Sequence, residues 1–138
     1  MPLTSTIEIR FADIDKLGHV NNAIYLSYFE QARLKYFNQV LGMGIDWSET
    51  GIILARAEVD FILPIHLEDN PFIEISCTRI GTKSFDLNYQ IFIAGNSNKT
   101  LATKGKSVMV CYNYKTAKTI QMPEIWIEKI MAFENKLV

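Results

Sequence analysis

From Asn22 to Leu41, apolar residues recur at Tyr25, Phe29, Ala32, Tyr36, Phe37 and Val40, the spacing of a helical stripe. Ile24, Leu26 and Leu34 spread that stripe around much of the circumference. Asn21 or Asn22 can cap the start, and Gly42 can end it. Twenty residues make a helix about 30 Å long. A helix that is apolar over so wide an arc has to be wrapped by the rest of the chain.

The segments around it supply the wrapping. Residues 6–12 alternate, with Ile7, Ile9 and Phe11 opposite Glu8 and Arg10, as a half-buried strand does. Residues 52–63 place Ile53, Ala55, Ala57, Val59 and Phe61 on one side, and Pro64 stops them. Ile73, Ile75 and Cys77 mark a strand over 72–79. Phe85, Leu87, Tyr89, Ile91 and Ile93 mark another over 84–93, and Val108, Val110 and Tyr112 a last one within 101–112. The stretches LEDN (67–70), GTK (81–83) and GNSN (95–98) read as hairpin connections. Pro123 then opens a final helix over 123–137. Hairpin-linked strands and segregated helices make an α+β chain: an antiparallel sheet of about five strands, curved around one long central helix. Residues 1–138 are expected to form one domain, burying roughly 68% of the unfolded chain's surface.

Composition narrows the function. The formal net charge of −1 gives no general attraction to polyphosphate, so nucleic acid is not expected as a partner. No apolar run approaches the ~20 residues needed to cross a bilayer, and MPLTSTIEIR does not read as a signal peptide. With two cysteines, Cys77 and Cys111, in expected strands, buried thiols in a reducing cytoplasm are the expectation.

The densest polar group lies between the first strand and the long helix. There Asp13, Asp15, His19, Asn21 and Asn22 converge on a helix N-terminus, whose unpaired N–H groups favour developing negative charge. Turn and cap chemistry alone would also select Asp, Gly and Asn. A calcium loop counted from Asp13 fails, since it puts Leu17 and Ile24 at ligand positions. Zinc lacks a close ligand pair, because His19, His66, Cys77 and Cys111 are scattered. No GxSxG elbow, P-loop or GxGxxG is present. Asp13 and Asp15 share parity, so the residues alone do not say which carboxylate does chemistry. Glu30 is a further acid, expected to pair with Arg33. Residues 99–118 hold five lysines and no acid, which suits either a phosphate-rich ligand or a solvated strand face.

RFADIDKLGHVNNAIYLSYFEQAR (10–33) resembles the signature of hotdog-fold acyl-CoA thioesterases of the 4-hydroxybenzoyl-CoA thioesterase-like family. AEVDFILPIHLED (57–69) and RIGTKSFDLNYQIF (79–92) are similar to later segments of that family, in the same order. The resemblance implies the hotdog fold and makes Asp15 the catalytic carboxylate. Asn22 then stands at the position near which a backbone N–H holds the thioester carbonyl. His19 and Asn21 belong to the same motif, and Lys83 with Ser84 would lie near the CoA phosphates. Independently of the resemblance, Tyr25, Tyr28 and Phe29 near the helix start are placed either to shape an acyl or aryl pocket or to fill the core.

By this resemblance the reaction is thioester hydrolysis, with Asp15 as general base or nucleophile. The substrate is an acyl-CoA, CoA being part of it rather than a cofactor, and no metal is implied. A homodimer, or a homotetramer of paired dimers, is expected, with sites at the interface. An acyl-carrier-protein thioesterase and a non-catalytic acyl-thioester-binding protein are the alternatives.

Overall fold

The apolar run after Asn21 is helical: α1 covers Ile24–Tyr36, and a π-helical turn (Phe37–Leu41) prolongs it to Gly42, whose φ of 95° ends it. The computed structural model describes residues 2–135. Around α1 the chain lays down β1 (Leu3–Thr6), β2 (Gly51–Phe61), β3 (Pro71–Ile80), β4 (Ser84–Ala94), β5 (Lys99–Asn113) and β6 (Lys118–Thr119). A second helix, α2, closes it at Glu124–Glu134. The strands form one antiparallel sheet in the order β1-β3-β4-β5-β2, with the short β6 beside β5. The sheet curls around α1, which is the hotdog arrangement.

Helix and sheet meet at one close contact. Phe29 of α1 stacks on Tyr89 of β4, with ring centroids 4.3 Å apart. A side chain at Gly105 of β5 would bring a Cβ within 2.3 Å of the Phe29 ring, so glycine is what lets the helix seat itself there. Tyr25, Tyr28, Ala32 and Tyr36 continue that buried stripe, facing Ile73, Ile75, Leu87 and Ile91 from the sheet. Each such large side chain contributes roughly 1.5–3 kcal/mol by leaving water.

The far end of α1 is tied down by α2. Glu134 is buried and accepts hydrogen bonds from Tyr36 Oη (2.6 Å) and the Cys77 backbone N–H (2.8 Å). Lys129 Nζ donates to the Leu41 carbonyl (2.9 Å), satisfying a helix-end acceptor. Burial pushes the Cys77 thiol up to about 12 and Cys111 up to about 11, so both remain protonated thiols at neutral pH.

Several expectations are corrected. The first strand is Leu3–Thr6, not 6–12: Ile7 still bonds the Pro71 carbonyl, but the chain then turns and leaves Phe11 83% exposed. Its alternation reports a segment lying along the core without a strand ladder. LEDN is not a hairpin, because both edges of β3 are taken by β1 and β4, and β2 pairs with β5 instead. The connection from β2 to β3 therefore crosses the sheet, anchored by the fully buried Ile65. A bulge at Ala55 shifts the β2 register between Leu54 and Arg56. It moves the core-facing side from Ile52 and Leu54 to Ala57, Val59 and Phe61, so Ile53 and Ala55 do not share the inner face of Ala57. On β5 the buried residues are Ala102, Thr103, Ser107, Met109 and Cys111, and Val108, Val110 and Tyr112 are half-buried on the side opposite Met109 and Cys111. In the last helix Pro123 sits at the N-cap, and Asn135, at φ 56°, ends the element. Lys136 and Leu137 of the expected helix lie outside the described residues.

Gly105→Ala should overpack the Phe29 contact and lower stability by about 1–3 kcal/mol, seen as a reduced Tm. An unchanged Tm would mean the helix can lift off the sheet at no cost.

Candidate active site

The polar loop between β1 and α1 is built on Asp13. Its carboxylate is fully buried and accepts from the Arg10 backbone N–H (3.0 Å), Arg10 Nε (3.1 Å) and Nη2 (2.8 Å), and Tyr28 Oη (2.8 Å). Burial alone would favour the protonated carboxyl, but those donors outweigh it and hold its pKa below the ordinary carboxylate value. Burial, with the carboxylate beside it, raises the Tyr28 hydroxyl. With all this capacity engaged inside the fold, Asp13 is the residue that fixes the loop. Two further backbone bonds complete the frame: Asn21 N–H to the Asp13 carbonyl (2.9 Å) and Val20 N–H to the Ile65 carbonyl (2.8 Å).

Asp15 is placed differently. It is half-buried, with Oδ1 accepting from the Leu17 N–H (2.9 Å) and Oδ2 meeting Asn21 Nδ2 at 3.5 Å. Its own N–H bonds the His19 carbonyl (3.0 Å), and the Gly18 N–H returns to the Asp15 carbonyl (3.0 Å), closing a tight turn with Gly18 at φ 90°. Asn21 Oδ1 accepts the Ala23 N–H (2.9 Å), so Asn21 rather than Asn22 supports the helix start. Asn22 is exposed at that tip.

His19, Asn22 and Tyr25 share an open cleft of about 300 Å³ with Phe61, Leu63 and Pro64. Its walls do not include Asp15, which stands in the adjoining turn. Tyr25 is buried, its ring edge-on to Phe61 at 5.1 Å, and burial raises its pKa. The His19 ring lies edge-on to His66 (5.8 Å), and His66 in turn sits 3.5 Å from Asp69. The His66 side chain is 45% exposed, and the β2–β3 crossover brings it to the loop.

Lys83 and Ser84 lie at the other end of the sheet. The Cys111 N–H bonds the Lys83 carbonyl, whereas the active loop lies near Ala102, nine residues or about 30 Å back along β5. Within one chain they do not meet Asp15. Ser84 Oγ accepts from Arg79 (2.9 Å), which also pairs with Asp86. The lysine-rich stretch is partly neutralised: Lys99 pairs with Glu74, Lys106 with Asp86 and Lys115 with Glu49. Glu30 and Arg33 approach to 3.8 Å. Among the described residues, no three His, Cys, Asp or Glu side chains gather as a metal site, and no helix is long and apolar enough to cross a membrane.

The profile of the Thioesterase-like superfamily matches residues 9–130. The chain belongs to this superfamily. A thioesterase from Thermus thermophilus, crystallised with coenzyme A and zinc, is 32% identical. It superposes with a TM-score of 0.82 over 98% of this chain and 96% of its own. A 1,4-dihydroxy-2-naphthoyl-CoA hydrolase from Crocosphaera subtropica is 28% identical over 134 residues, 91% of this chain and 95% of that protein. A 4-hydroxybenzoyl-CoA thioesterase variant shares the fold at 17% identity, with a TM-score of 0.85 over 93% and 97% of the two chains. This thioesterase is accordingly a hydrolase of thioester bonds.

Hydrolysis needs a base or nucleophile within reach of solvent and an N–H donor for the oxyanion. Of the two loop carboxylates, Asp13 is fully buried and Asp15 reaches solvent, a difference that their shared parity does not express. Asp13→Asn should cost about 2 kcal/mol or more, by weakening charge-assisted bonds to a buried acceptor. The Asp13 carboxyl binds its proton more weakly folded than unfolded, so its contribution is complete at neutral pH. It is lost as pH falls through the folded-state pKa. Acid titrations of stability should show less loss below pH about 4 in Asp13→Asn than in wild type; equal loss would take Asp13 out of this role.

Proposed function

We propose that the thioesterase cleaves acyl-CoA to a free acid and CoA at the tip of α1, with Asp15 as the reacting carboxylate. The observation that carries this reading is the division of labour in the loop. Asp13 is saturated and buried, while Asp15 keeps a loosely held Oδ2 beside an open cleft and a helix N-terminus.

The carboxylate either takes a proton from water or attacks the carbonyl to form a mixed anhydride, which water then opens. The developing oxyanion is held by backbone N–H at Asn22, where the helix dipole adds to the field. Asn21 and His19 position the turn, and Tyr25 forms one wall. A thiolate leaving group with pKa near ~8.5 departs with little protonation, so a strong general acid is unnecessary.

A second copy of the chain completes this proposal. β2 pairs with β5 on one side only and stands at the sheet edge. Leu54, Phe61, Ile62 and Leu63 are 40–50% exposed along and just beyond it. An edge strand of eleven residues with apolar side chains is a ready surface for pairing. A homodimer joined there would bring Lys83 and Ser84 of one subunit toward the CoA held by the other, which one chain by itself does not do. Two such dimers can pair into a tetramer.

Asp15→Asn should lower kcat on acyl-CoA at least about a hundredfold while leaving the Tm within a degree or two. Wild-type turnover in that variant, measured by thiol release, would remove Asp15 from the chemistry. Sedimentation should give a dimer or tetramer, and Leu54→Lys should shift it toward monomer with loss of activity. A fully active monomer would dismiss the shared site.

A further inference from the structure

An open sheet has two edges, and each presents unpaired backbone groups to any strand that comes near. Here one edge is β2, and the other is β1 together with the part of β3 that runs past it. β1 is only four residues long and faces residues 72–75. Beyond it, residues 76–80 of β3 have β4 on one side and, among the described residues, no strand on the other. A further strand would dock at such a stretch.

A side chain of α2 fills it instead. Ile73 and Ile75 face Ser5 and Leu3, so Cys77, two residues on, aims its N–H the same way, away from β4. The Glu134 carboxylate accepts that N–H at 2.8 Å, in the place a neighbouring strand's carbonyl would take. The same oxygen accepts from Tyr36 Oη at 2.6 Å, which holds the carboxylate against the sheet margin. Glu134 is 5% exposed, and these two bonds offset the cost of burying it. Just past Cys77 the register shifts before Arg79, and a bulge bends the strand out of line with any neighbour.

We infer that the edge of β3 at residues 76–80 is a latent docking surface for a second copy of the chain, held shut by Glu134, so that copies pair through β2 alone. This rests on the proposed pairing at β2. One open edge gives a closed two-fold dimer, whereas two open edges let sheets add end to end without closing. The two margins differ accordingly: β2 offers eleven residues with exposed apolar side chains, and the other offers a short strand, a bulge and a carboxylate. A second copy fits the released edge because strand addition is made by backbone groups, and every copy carries an edge of its own. Charge does not oppose it, since Ser76, Thr78 and Ile80 are neutral and Arg79 is paired with Asp86.

The test removes the acceptor with Glu134→Ala and keeps one with Glu134→Gln. Amide hydrogen exchange at Cys77 should stay slow in the wild type and in Glu134→Gln, and run at least about tenfold faster in dilute Glu134→Ala. Sedimentation velocity over a range of concentrations should leave the first two unchanged, while Glu134→Ala grows past a tetramer as concentration rises. Ile130→Ala weakens α2 through a core cavity and leaves Glu134 in place, so it should sediment as the wild type does. Glu134→Ala combined with Leu54→Lys has only the β3 edge to pair and should stop at a dimer. If Glu134→Ala frees the Cys77 amide yet sediments as the wild type at every concentration, the docking surface is refuted while pairing at β2 stands. Equal growth in Ile130→Ala has the same consequence, since general loosening of α2 would then explain it. If Leu54→Lys alone keeps the wild-type assembly, the β2 reading fails, and with it the claim that Glu134 confines pairing to that edge.

Discussion

The structure depends on how closely α1 can approach the sheet, and that distance is set where Phe29 lies over Gly105 and against Tyr89. Aromatic stacking at 4.3 Å leaves no room for a methyl group below the ring. Because the helix is seated there, its N-terminal tip and the flanking loop have a fixed position relative to β2 and the crossover. The far end is held by bonds of another kind, from Tyr36, Cys77 and Lys129 to acceptors on α2 and the helix end. Close packing near the middle and hydrogen bonds at the end leave the helix little freedom to slide.

The loop before α1 holds one carboxylate and leaves another open to solvent. Two aspartates only two residues apart have been given these opposite tasks by burial. Asp13 sits under the loop with a guanidinium and a phenol, and its charge is consumed in holding the turn. Asp15 inherits a fixed backbone from that arrangement and keeps an oxygen that only a 3.5 Å amide contact restrains.

Periodicity found the long helix and the strands β3 and β4 because each has one consistently buried face. It misjudged the first strand, since an alternating segment can rest on a core without pairing, and Ile7 and Ile9 do so. It misjudged β2 because a bulge is invisible in a pattern of similar apolar residues: IILARAEV reads equally well in either register. The motif pointed to the loop of Asp13 to Asn22, and the resemblance to hotdog thioesterases named Asp15. The role of Tyr28 beneath Asp13 left no signal, because a tyrosine on a helical stripe looks like any other core residue. His66 was equally hidden, its neighbour His19 being far away in sequence.

What the sequence determined by itself is local: a helix of known length, strands of known polarity, a turn rich in Asp and Asn at a helix start, and membership in a thioesterase superfamily. The elements and the turn follow from side-chain period and turn chemistry, which act over a few residues; the membership follows from the likeness of whole motifs. Tertiary structure decided which aspartate is buried, which strand is left at the edge, and which side chains wall the cleft at the α1 tip. Burial and pairing are properties of residues far apart in the chain. Asp13 differs from Asp15 only because Tyr28 and Arg10 close around one of them, and no spacing within the loop expresses that.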